Sequence, residues 1–166
     1  MAFERYVVPE LDVLYRVARS RSSNSADAED LVQDTLLRAY RAVDRFDGRY
    51  PRAWLLTILR NTQINRARKR TPDLLDDPDM TLGRLESDSS ESPEASVVDT
   101  QFEAELSAAL DALPEKFRVV VDLVDIGGAS YQEAAAVLEL PVGTIMSRLP
   151  RARKRMRAQL TGKAQP

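Results

Sequence analysis

The 166-residue sequence contains neither cysteine nor histidine. Their absence excludes disulfide bonds, metal sites with thiolate or imidazole ligands, and nucleophilic mechanisms that use either side chain. No apolar run approaches the roughly 20 residues that a membrane-spanning helix needs. The first ten residues, MAFERYVVPE, carry charges where a signal peptide has a long apolar segment. We therefore expect a cytoplasmic protein without membrane insertion.

The sequence also lacks the patterns that are typical of nucleic-acid enzymes. It has no glycine-rich phosphate-binding loop followed by lysine and no clear set of metal-binding carboxylates. The DDPD segment at 76–79 falls in a stretch without helical periodicity, which is a poor place for preorganised catalysis. We therefore expect no catalytic residues, no bound metal and no cofactor.

Charge is distributed unevenly along a chain whose net charge is −2. Residues 1–70 contain 14 Lys or Arg and 9 Asp or Glu, whereas residues 71–100 contain one Arg and 9 acidic residues. From Val142 to the C-terminus there are seven basic side chains and no acidic one. Solvated surface charge explains most charged runs, but here each basic cluster closes a helical segment. This pattern favours two nucleic-acid-binding surfaces.

The segment Thr71–Ser96 has the composition of a linker, since it is rich in Pro, Ser and Asp and lacks aromatic residues. We therefore predict an all-α protein of two small helical domains. The N-terminal domain would cover 1–70, an acidic flexible linker 71–97, and the C-terminal domain 98–166.

Three helices are predicted in the N-terminal domain. The first would be one amphipathic helix over Val7–Arg19. The second would follow an N-cap at Asn24 or Ser25 and continue through 27–46, with acidic residues near its positive end. The third would begin at Pro51 and end near Arg70, before Pro72. The apolar stripes are Leu11, Leu14, Tyr15 and Ala18 in the first helix, and Ala28, Leu31, Val32, Leu36, Ala39 and Val43 in the second.

The C-terminal domain is predicted to begin with a helix closed by Pro114. The valine-rich segment 115–126 could form a strand, but its apolar residues follow a helical spacing and its neighbours are helical, which favours a helix. Gly127 and Gly128 would end it. The apolar stripe of the first helix is Phe102, Leu106, Ala109, Leu110 and Leu113.

The segment 130–156 has the layout of a helix-turn-helix. Ser130 and Glu133 have the spacing of a capping box, and Ala135 is small enough for close helix packing. The second helix would bury Ile145, Leu149, Ala152 and Met156. Its outward residues, Thr144, Ser147, Arg148, Arg151 and Lys154, are types that contact base edges and phosphates. The alternative is a helical hairpin with a solvated basic face; the pattern favours DNA binding.

Three aromatic residues precede the first basic cluster, RNTQINRARKR at 60–70. Aromatic faces beside a basic track suit single-stranded nucleic acid, because bases stack on the rings while the cations neutralise phosphates. Trp54 lies in a leucine-rich helix and is better assigned to the core. Tyr50, in a turn, is the better candidate for base contact; the third aromatic residue is Phe46.

Four sequence blocks give a family resemblance. The blocks DAEDLVQDTLLRAYRAVDRF, AWLLTILRNTQINRARKR, ALPEKFRVVVDL and SYQEAAAVLELPVGTIMSRLPRARKRM follow one another in this chain. In this order the chain resembles the bacterial extracytoplasmic-function (group IV) RNA polymerase sigma factors over nearly its whole length outside the linker. The resemblance implies a two-domain factor that binds core RNA polymerase and directs it to promoter DNA, both duplex and melted. It also allows for an anti-sigma factor as a partner.

The same resemblance implies three sets of binding residues. For core polymerase they are Asp27, Asp30, Leu31, Gln33, Asp34, Leu37, Arg38 and Arg41. For the melted minus-ten element they are Asp47, Arg49, Tyr50, Arg60, Asn61, Asn65, Arg66, Arg68 and Arg70. For the minus-thirty-five element, through a helix-turn-helix from Ser130 to Leu149 and the basic residues after it, they are Ser130, Tyr131, Thr144, Ser147, Arg148, Arg151, Arg153 and Lys154.

Two positions depart from the family pattern. Glu139 occupies a turn position where the family often has glycine, and Pro150 stands where it usually has a helix-compatible residue. A different class remains open as well, namely a helix-turn-helix regulator that does not act through polymerase. Such a regulator needs neither the helix at 27–46 nor the AWLLTILRN block, and co-purification with core polymerase would distinguish the two classes.

Overall fold

The computed structural model describes the backbone of residues 1–74 and 97–162 and the side chains of 1–70 and 101–162. Every regular element in these ranges is helical, which confirms the predicted all-α class. Most of the predicted linker, at 75–96, lies outside the described residues. The domain boundaries stay predictions, although helices extend into both ends of the proposed linker.

The N-terminal domain contains α1 (Ala2–Tyr6), α2 (Leu11–Arg21), α3 (Ser25–Ala42) and α4 (Pro51–Leu74). The prediction of one helix over Val7–Arg19 is wrong at its start, because a 3-10 turn at Val8–Glu10 separates α1 from α2. Pro9 explains the break: it has no amide hydrogen, and its ring would collide with the carbonyl four residues earlier in a continuing α-helix. Leu14 and Ala18 are buried as predicted, whereas Tyr15 is exposed.

Helix α3 begins as the sequence predicts. Asn24 is the N-cap, and its side-chain oxygen accepts a hydrogen bond from the Asp27 amide at 2.8 Å. Ala28, Leu31 and Ala39 are buried along one face. A second 3-10 turn, Val43–Arg45, follows the helix and buries Val43.

The turn between α3 and α4 has an unusual backbone. The Arg49 amide donates a hydrogen bond to the Asp47 carboxylate at 2.8 Å. Gly48 and Tyr50 both adopt positive φ, at 79° and 54°, and a non-glycine residue in that region is uncommon. Tyr50 directly precedes Pro51, the first residue of α4.

The predicted end of α4 near Arg70 is wrong, since the helix continues to Leu74. Pro72 lies in the last turn of this helix, and its missing amide hydrogen removes one backbone hydrogen bond there. The basic segment 60–70 is therefore helical throughout.

The C-terminal domain contains α5 (Val97–Asp111), α6 (Glu115–Val121), a π-helical turn (Asp122–Ile126), α7 (Tyr131–Leu138) and α8 (Val142–Gly162). The preference for helix over strand in the valine-rich segment is confirmed. Placing Phe102 in the core is wrong, because its side chain is 57% exposed. Ala109 and Leu110 near the end of α5, and Leu113 just after it, supply the buried contacts instead.

The helix-turn-helix is built by α7 and α8. Ser130 and Glu133 form the predicted capping box, with both reciprocal hydrogen bonds at 3.1 Å. Glu139 ends α7 in the left-handed conformation, at φ 55° and ψ 43°. The next amide, of Leu140, donates to the Ala135 carbonyl at 3.0 Å, so the turn closes as it would with glycine, at some cost in strain.

The two domains pack against each other. Helices α2 and α4 contact the π-helical turn, α2 also contacts α5, and α4 also contacts α7. A Cβ on Gly127 would collide with the side chain of Leu56 in α4, so this glycine permits the close approach. Buried apolar residues of both domains consequently form one continuous core.

Candidate nucleic-acid interface

Helix α8 has a buried face and an outward face. Ile145, Leu149 and Ala152 have no exposed surface, and Met156 is partly buried, as the sequence predicts. The outward residues recur at three- and four-residue spacing on the other side: Thr144 and Arg148 are half-exposed, and Ser147, Arg151 and Lys154 are exposed. In the described part of the chain, no carboxylate forms an ion pair with Arg148, Arg151 or Lys154. Their charge is available for a ligand.

Arg153 has a different environment from the other basic residues of α8. Its Nε and Nη2 donate hydrogen bonds to the Asp125 carboxylate at 3.0 and 2.5 Å. These bonds to Asp125 raise the pKa of the Arg153 guanidinium. Arg153 therefore fixes α8 to the π-helical turn of its own domain.

Ser130 and Tyr131, at the start of α7, are both exposed.

A cleft of about 410 Å³ lies at the turn before α4. The rings of Phe46 and Trp54 stack in it with centroids 4.2 Å apart, and Tyr50 lies beside the Arg49 guanidinium at 5.7 Å. Trp54 is partly buried against the core, in agreement with its predicted role. The cleft is lined by Arg45, Phe46, Asp47, Arg49, Tyr50 and Trp54, together with Ala136 and Val137 of α7.

The basic end of α4 contains side chains in ion pairs and others that are exposed. Arg60 donates a hydrogen bond to the Glu115 carboxylate of the other domain at 2.9 Å. Arg66 forms an ion pair with Asp34 at 3.4 Å. The remaining residues of the predicted minus-ten set on this helix are exposed: Asn61, Asn65, Arg68 and Arg70.

The outer face of α3 combines polar and apolar side chains. Leu37 is 58% exposed and Tyr40, which the sequence analysis did not single out, is 63% exposed. Tyr40 follows Leu37 by three residues on the same helix. Its ring makes an edge-to-face contact with the ring of Phe3, with centroids 5.5 Å apart. The polar residues predicted for this surface are exposed or half-exposed: Asp27, Asp30, Gln33, Asp34, Arg38 and Arg41.

Leu31 is corrected. Its side chain is 2% exposed and lies in the core, so it cannot contact a partner on the outer face of α3. The apolar periodicity of the sequence already assigned Leu31 to the buried stripe. Leu37 and Tyr40 are the apolar residues that this face presents.

Comparison with known proteins identifies both domains. Residues 7–72 match Sigma-70 region 2, and residues 103–156 match Sigma-70 region 4. The chain belongs to the ECF RNA polymerase sigma factors. As a sigma factor it acts with core RNA polymerase in promoter-specific transcription initiation. The family resemblance and the function inferred from the sequence are thereby confirmed.

Individual relatives agree with this assignment. The chain is 42% identical over 144 residues to the ECF sigma factor EcfG of Rhodopseudomonas palustris, covering 86% of this chain and 76% of that protein. It is 35% identical over 159 residues to SigE of Mycolicibacterium smegmatis, covering 96% of this chain but 62% of the relative's length. The solved structure of the sigma factor RpoE in complex with the anti-sigma factor NepR from Bartonella quintana matches with a TM-score of 0.74 at 36% identity, and 96% of each chain is covered.

In residues 1–74 and 97–162, no helix of this sigma factor is long and apolar enough to cross a membrane. No group of three or more His, Cys, Asp or Glu side chains within the described ranges is placed to hold a metal ion.

Pro150 lies inside α8 of the sigma factor, which runs from Val142 to Gly162 without interruption. Proline has no amide hydrogen, so the hydrogen bond to the Met146 carbonyl is absent. The buried residues Leu149 and Ala152 on either side keep the inward face in one register. Tertiary packing therefore holds the helix through a residue of poor helical propensity.

We expect Pro150→Ala to stabilise the C-terminal domain by about 1–2 kcal/mol, part of the roughly 3 kcal/mol that an interior proline ordinarily costs. It should also raise the affinity for promoter duplex, because the outward face of α8 would become more regular. Thermal unfolding and duplex binding would measure the two effects on the same variant. Higher stability combined with lower promoter affinity would show that the proline serves DNA recognition.

Proposed function

We propose that the sigma factor binds core polymerase through α3, meets the melted minus-ten element with the turn at 47–50 and α4, and reads the minus-thirty-five element with α8. The observation that carries the proposal is the division of α8 into a buried apolar face and an exposed Thr, Ser, Arg and Lys face. A helix with this division fits the major groove when the other helix of the motif supports it.

The proposal for the minus-thirty-five surface rests on side-chain chemistry. Arg148 and Arg151 can donate to guanine edges or to phosphates, and Thr144 and Ser147 can donate or accept. Arg153, already bonded to Asp125, would act on DNA through its remaining donors and through charge. Because no acidic side chain follows Val142 in the sequence, the surface attracts phosphate along its length.

The proposal for the minus-ten surface rests on the cleft and the basic helix beside it. Tyr50 supplies an aromatic face at the cleft, and Arg66, Arg68 and Arg70 continue the positive charge along α4. Unstacked bases bind aromatic faces while basic side chains follow the backbone. Asn61 and Asn65, both exposed, add donors and acceptors suited to base edges.

The proposal for the polymerase surface rests on the outer face of α3. Leu37 and Tyr40 form an exposed apolar patch, and Asp30, Gln33 and Asp34 lie on the same outer face. Exposed apolar side chains rimmed by polar ones are typical of protein-binding surfaces. A rigid, folded helix offers such a partner a preformed interface.

We further propose that an anti-sigma factor regulates this chain, because the structurally similar RpoE forms a complex with one. The proposed place of action is the cytoplasm, where the polymerase works. The proposed role is binding and positioning, with no catalytic activity of the chain's own.

Transcription in vitro with core polymerase tests the proposed function. Adding the purified chain to core polymerase and genomic template should give defined transcripts whose start sites share minus-ten and minus-thirty-five elements. Core polymerase alone is the control. Sequence-specific DNA binding without polymerase binding or transcripts would instead support the regulator that acts apart from polymerase.

Reversing charge on α3 tests the polymerase surface. We expect the double variant Asp30→Arg, Asp34→Arg to bind core polymerase at least about tenfold more weakly, because like-charge contacts across an interface are costly. Helical circular dichroism should stay unchanged, since neither side chain lies in the core. The matched control is Asp12→Arg, Asp44→Arg, which changes the same charge at exposed positions elsewhere. Equal binding by the two double variants would contradict the assignment of α3.

A further inference from the structure

The turn at 47–50 adopts a conformation that needs support from other parts of the chain. Gly48 and Tyr50 both have left-handed backbone angles, at φ 79° and 54°. Tyrosine carries a Cβ, so this conformation is unfavourable for Tyr50 and persists only where the surrounding structure holds it. Within the turn, the Arg49 amide donates a hydrogen bond to the Asp47 carboxylate at 2.8 Å. That bond does not include Tyr50, so contacts from other elements must help to hold the turn.

A group of three aromatic rings adjoins the turn. The Phe46 ring, just before the turn, stacks on the Trp54 ring of α4 with centroids 4.2 Å apart and planes 17° apart. The Tyr6 ring contacts Phe46 edge to face, with centroids 5.5 Å apart and planes at 85°. Aromatic pairs in these geometries stabilise a structure beyond the area that they bury. The start of the turn is therefore fixed both to the helix that follows it and to the N-terminal helix α1.

Tyr6 also contacts the turn itself. A Cβ placed on Gly48 would lie 2.9 Å from the Tyr6 hydroxyl oxygen and 3.3 Å from the ring carbon that carries this oxygen. The Tyr6 side chain consequently fills the space next to Gly48. A shift of the turn towards α1 is opposed by this contact.

The N-terminal helix holds Tyr6 in place. Tyr6 is the last residue of α1, and Val7, which follows it, has no exposed surface. The Val7 amide donates a hydrogen bond to the Phe3 carbonyl at 2.8 Å. Helix α1 also contacts the 3-10 turn Val43–Arg45, which leads into the turn at 47–50. The Tyr6 ring is thus supported by an element that is anchored in the core.

We propose that Tyr6 is a positioning residue for minus-ten recognition: it holds the turn at 47–50 in the conformation that presents the Tyr50 ring to an unstacked base. The described residues that line the cleft do not include Tyr6, so it acts through the turn and not by contact with DNA. It lies just before residues 7–72, which match Sigma-70 region 2. The inference rests on the proposed function, because it assumes that Tyr50 contacts the melted strand.

Preorganisation of the turn gives this role a measurable size. A turn that is ordered before DNA arrives loses less conformational entropy on binding. If only a fraction of the molecules has the turn in the binding conformation, the apparent affinity for the strand falls by that fraction. Tyr6→Ala removes the contacts with Phe46 and Gly48 together, so the turn should then be ordered in only part of the molecules.

Two variants and a control separate this contact from general destabilisation. Tyr6→Ala removes the ring, whereas Tyr6→Phe keeps the ring beside Phe46 and removes only the hydroxyl. The matched control is Tyr15→Ala, because Tyr15 lies on α2 of the same domain and is 38% exposed. The ring pairs in the described part of the chain do not include Tyr15. Circular dichroism and thermal unfolding of each variant establish that the measurements are made on folded protein.

The single tryptophan of the chain reports the order of the turn in the free protein. Trp54 stacks on Phe46, and Phe46 contacts Tyr6. We expect Tyr6→Ala to increase the quenching of Trp54 fluorescence by acrylamide, whereas Tyr6→Phe and Tyr15→Ala should leave it near the original value. Unchanged quenching in Tyr6→Ala would show that the ring group does not depend on Tyr6 and would overturn the proposal.

The binding probe is a fluorescent single-stranded oligonucleotide that carries the minus-ten element mapped by transcription, added to core polymerase saturated with each variant. We expect Tyr6→Ala to bind this strand about fivefold more weakly, because a turn ordered in about one fifth of the molecules lowers the affinity by that factor. Tyr6→Phe and Tyr15→Ala should bind it like the unsubstituted chain. Binding of minus-thirty-five duplex by the free chain should be the same in all three variants, because α8 lies in the other domain. Equal weakening of strand and duplex binding in Tyr6→Ala would mean general damage to the fold and would overturn the proposal.

The double variant Tyr6→Ala, Tyr50→Ala tests whether Tyr6 acts through Tyr50. If Tyr6 positions the Tyr50 ring, its removal should weaken strand binding little further once that ring is gone, since effects on one shared interaction are not additive. An undiminished loss in the Tyr50→Ala background, or unchanged strand binding by Tyr6→Ala alone, would contradict the positioning role.

Tyr50→Ala alone separates failure of this inference from failure of the proposed function. If it leaves strand binding by the polymerase complex unchanged, the proposed minus-ten surface is wrong and the inference fails with it. If Tyr50→Ala weakens strand binding and Tyr6→Ala does not, the surface is right and the positioning role of Tyr6 is wrong.

Discussion

Truncating Leu149 to alanine should lower the free energy of unfolding by about 2–5 kcal/mol. The Leu149 side chain has no exposed surface and packs in the core between α8 and its neighbours. Removing most of it deletes apolar contacts and leaves a cavity that surrounding helices can fill only in part. Urea unfolding followed by helical circular dichroism would measure the loss as a lower midpoint at constant slope.

Met146→Ala is the control on the same helix. Met146 is 57% exposed and lies nearly one turn before Leu149, so the unfolding free energy should stay within about 0.5 kcal/mol of the unsubstituted chain. The two substitutions together test which face of α8 is buried. Similar destabilisation by both would mean that the helix is rotated from the orientation described above.

Arg148→Ala should weaken binding to promoter duplex by about 10- to 100-fold, which is the effect of losing one good base contact. If Arg148 instead contacts a phosphate, the loss should be about equal for all sequences and the salt slope of log affinity should fall by about one. Transcription in vitro should fail on ordinary duplex promoters. A template already melted at the minus-ten element should restore part of the transcription, because the minus-ten surface can bind separated strands without the contact from Arg148.

Arg155→Ala removes the same charge from the same helix. The Arg155 guanidinium lies 4.9 Å from the centre of the Phe117 ring, on the side of α8 that faces α6, so it is not placed for the groove. Its loss should leave promoter affinity near the original value.

Equal loss of transcription by Arg148→Ala on duplex and pre-melted templates would contradict the assignment of the two promoter elements to different domains.

Local signals made most of the helices predictable from the sequence. Asn24 and Ser130 have the chemistry of N-caps, and both cap helices in the structure. Apolar periodicity placed Ile145, Leu149 and Ala152 inward, and all three are fully buried. These features depend on residues three or four positions apart, which is the distance over which a helix pattern carries information.

The errors arose where a local rule competed with another interaction. Helical spacing near Val7 concealed the break that Pro9 imposes, whereas Pro72 did not end α4. Phe102 has the spacing of a core residue, but the core at that end of α5 is made by other side chains. For Leu31 the resemblance implied a polymerase contact and the periodicity implied burial. Burial is correct, because the Leu31 side chain is 2% exposed and belongs to the hydrophobic core.

The buried ion pair between Arg21 and Asp122, which joins the two domains, could not be predicted from sequence patterns. Arg21 and Asp122 are 101 residues apart, and no repeated spacing connects them. Both are charged residues in amphipathic helical segments, where solvent exposure is the ordinary expectation. Their burial follows from how the two domains pack, which single-helix patterns do not contain.

That separation of 101 residues also sets an order of events during synthesis. A ribosome adds about 5–20 residues per second, so Asp122 leaves it several seconds after Arg21. The caps and turns of the N-terminal domain lie before position 74 and depend on residues close to them in the sequence. Each newly made molecule therefore passes through an interval in which these residues have left the ribosome and the C-terminal residues that complete the shared core have not.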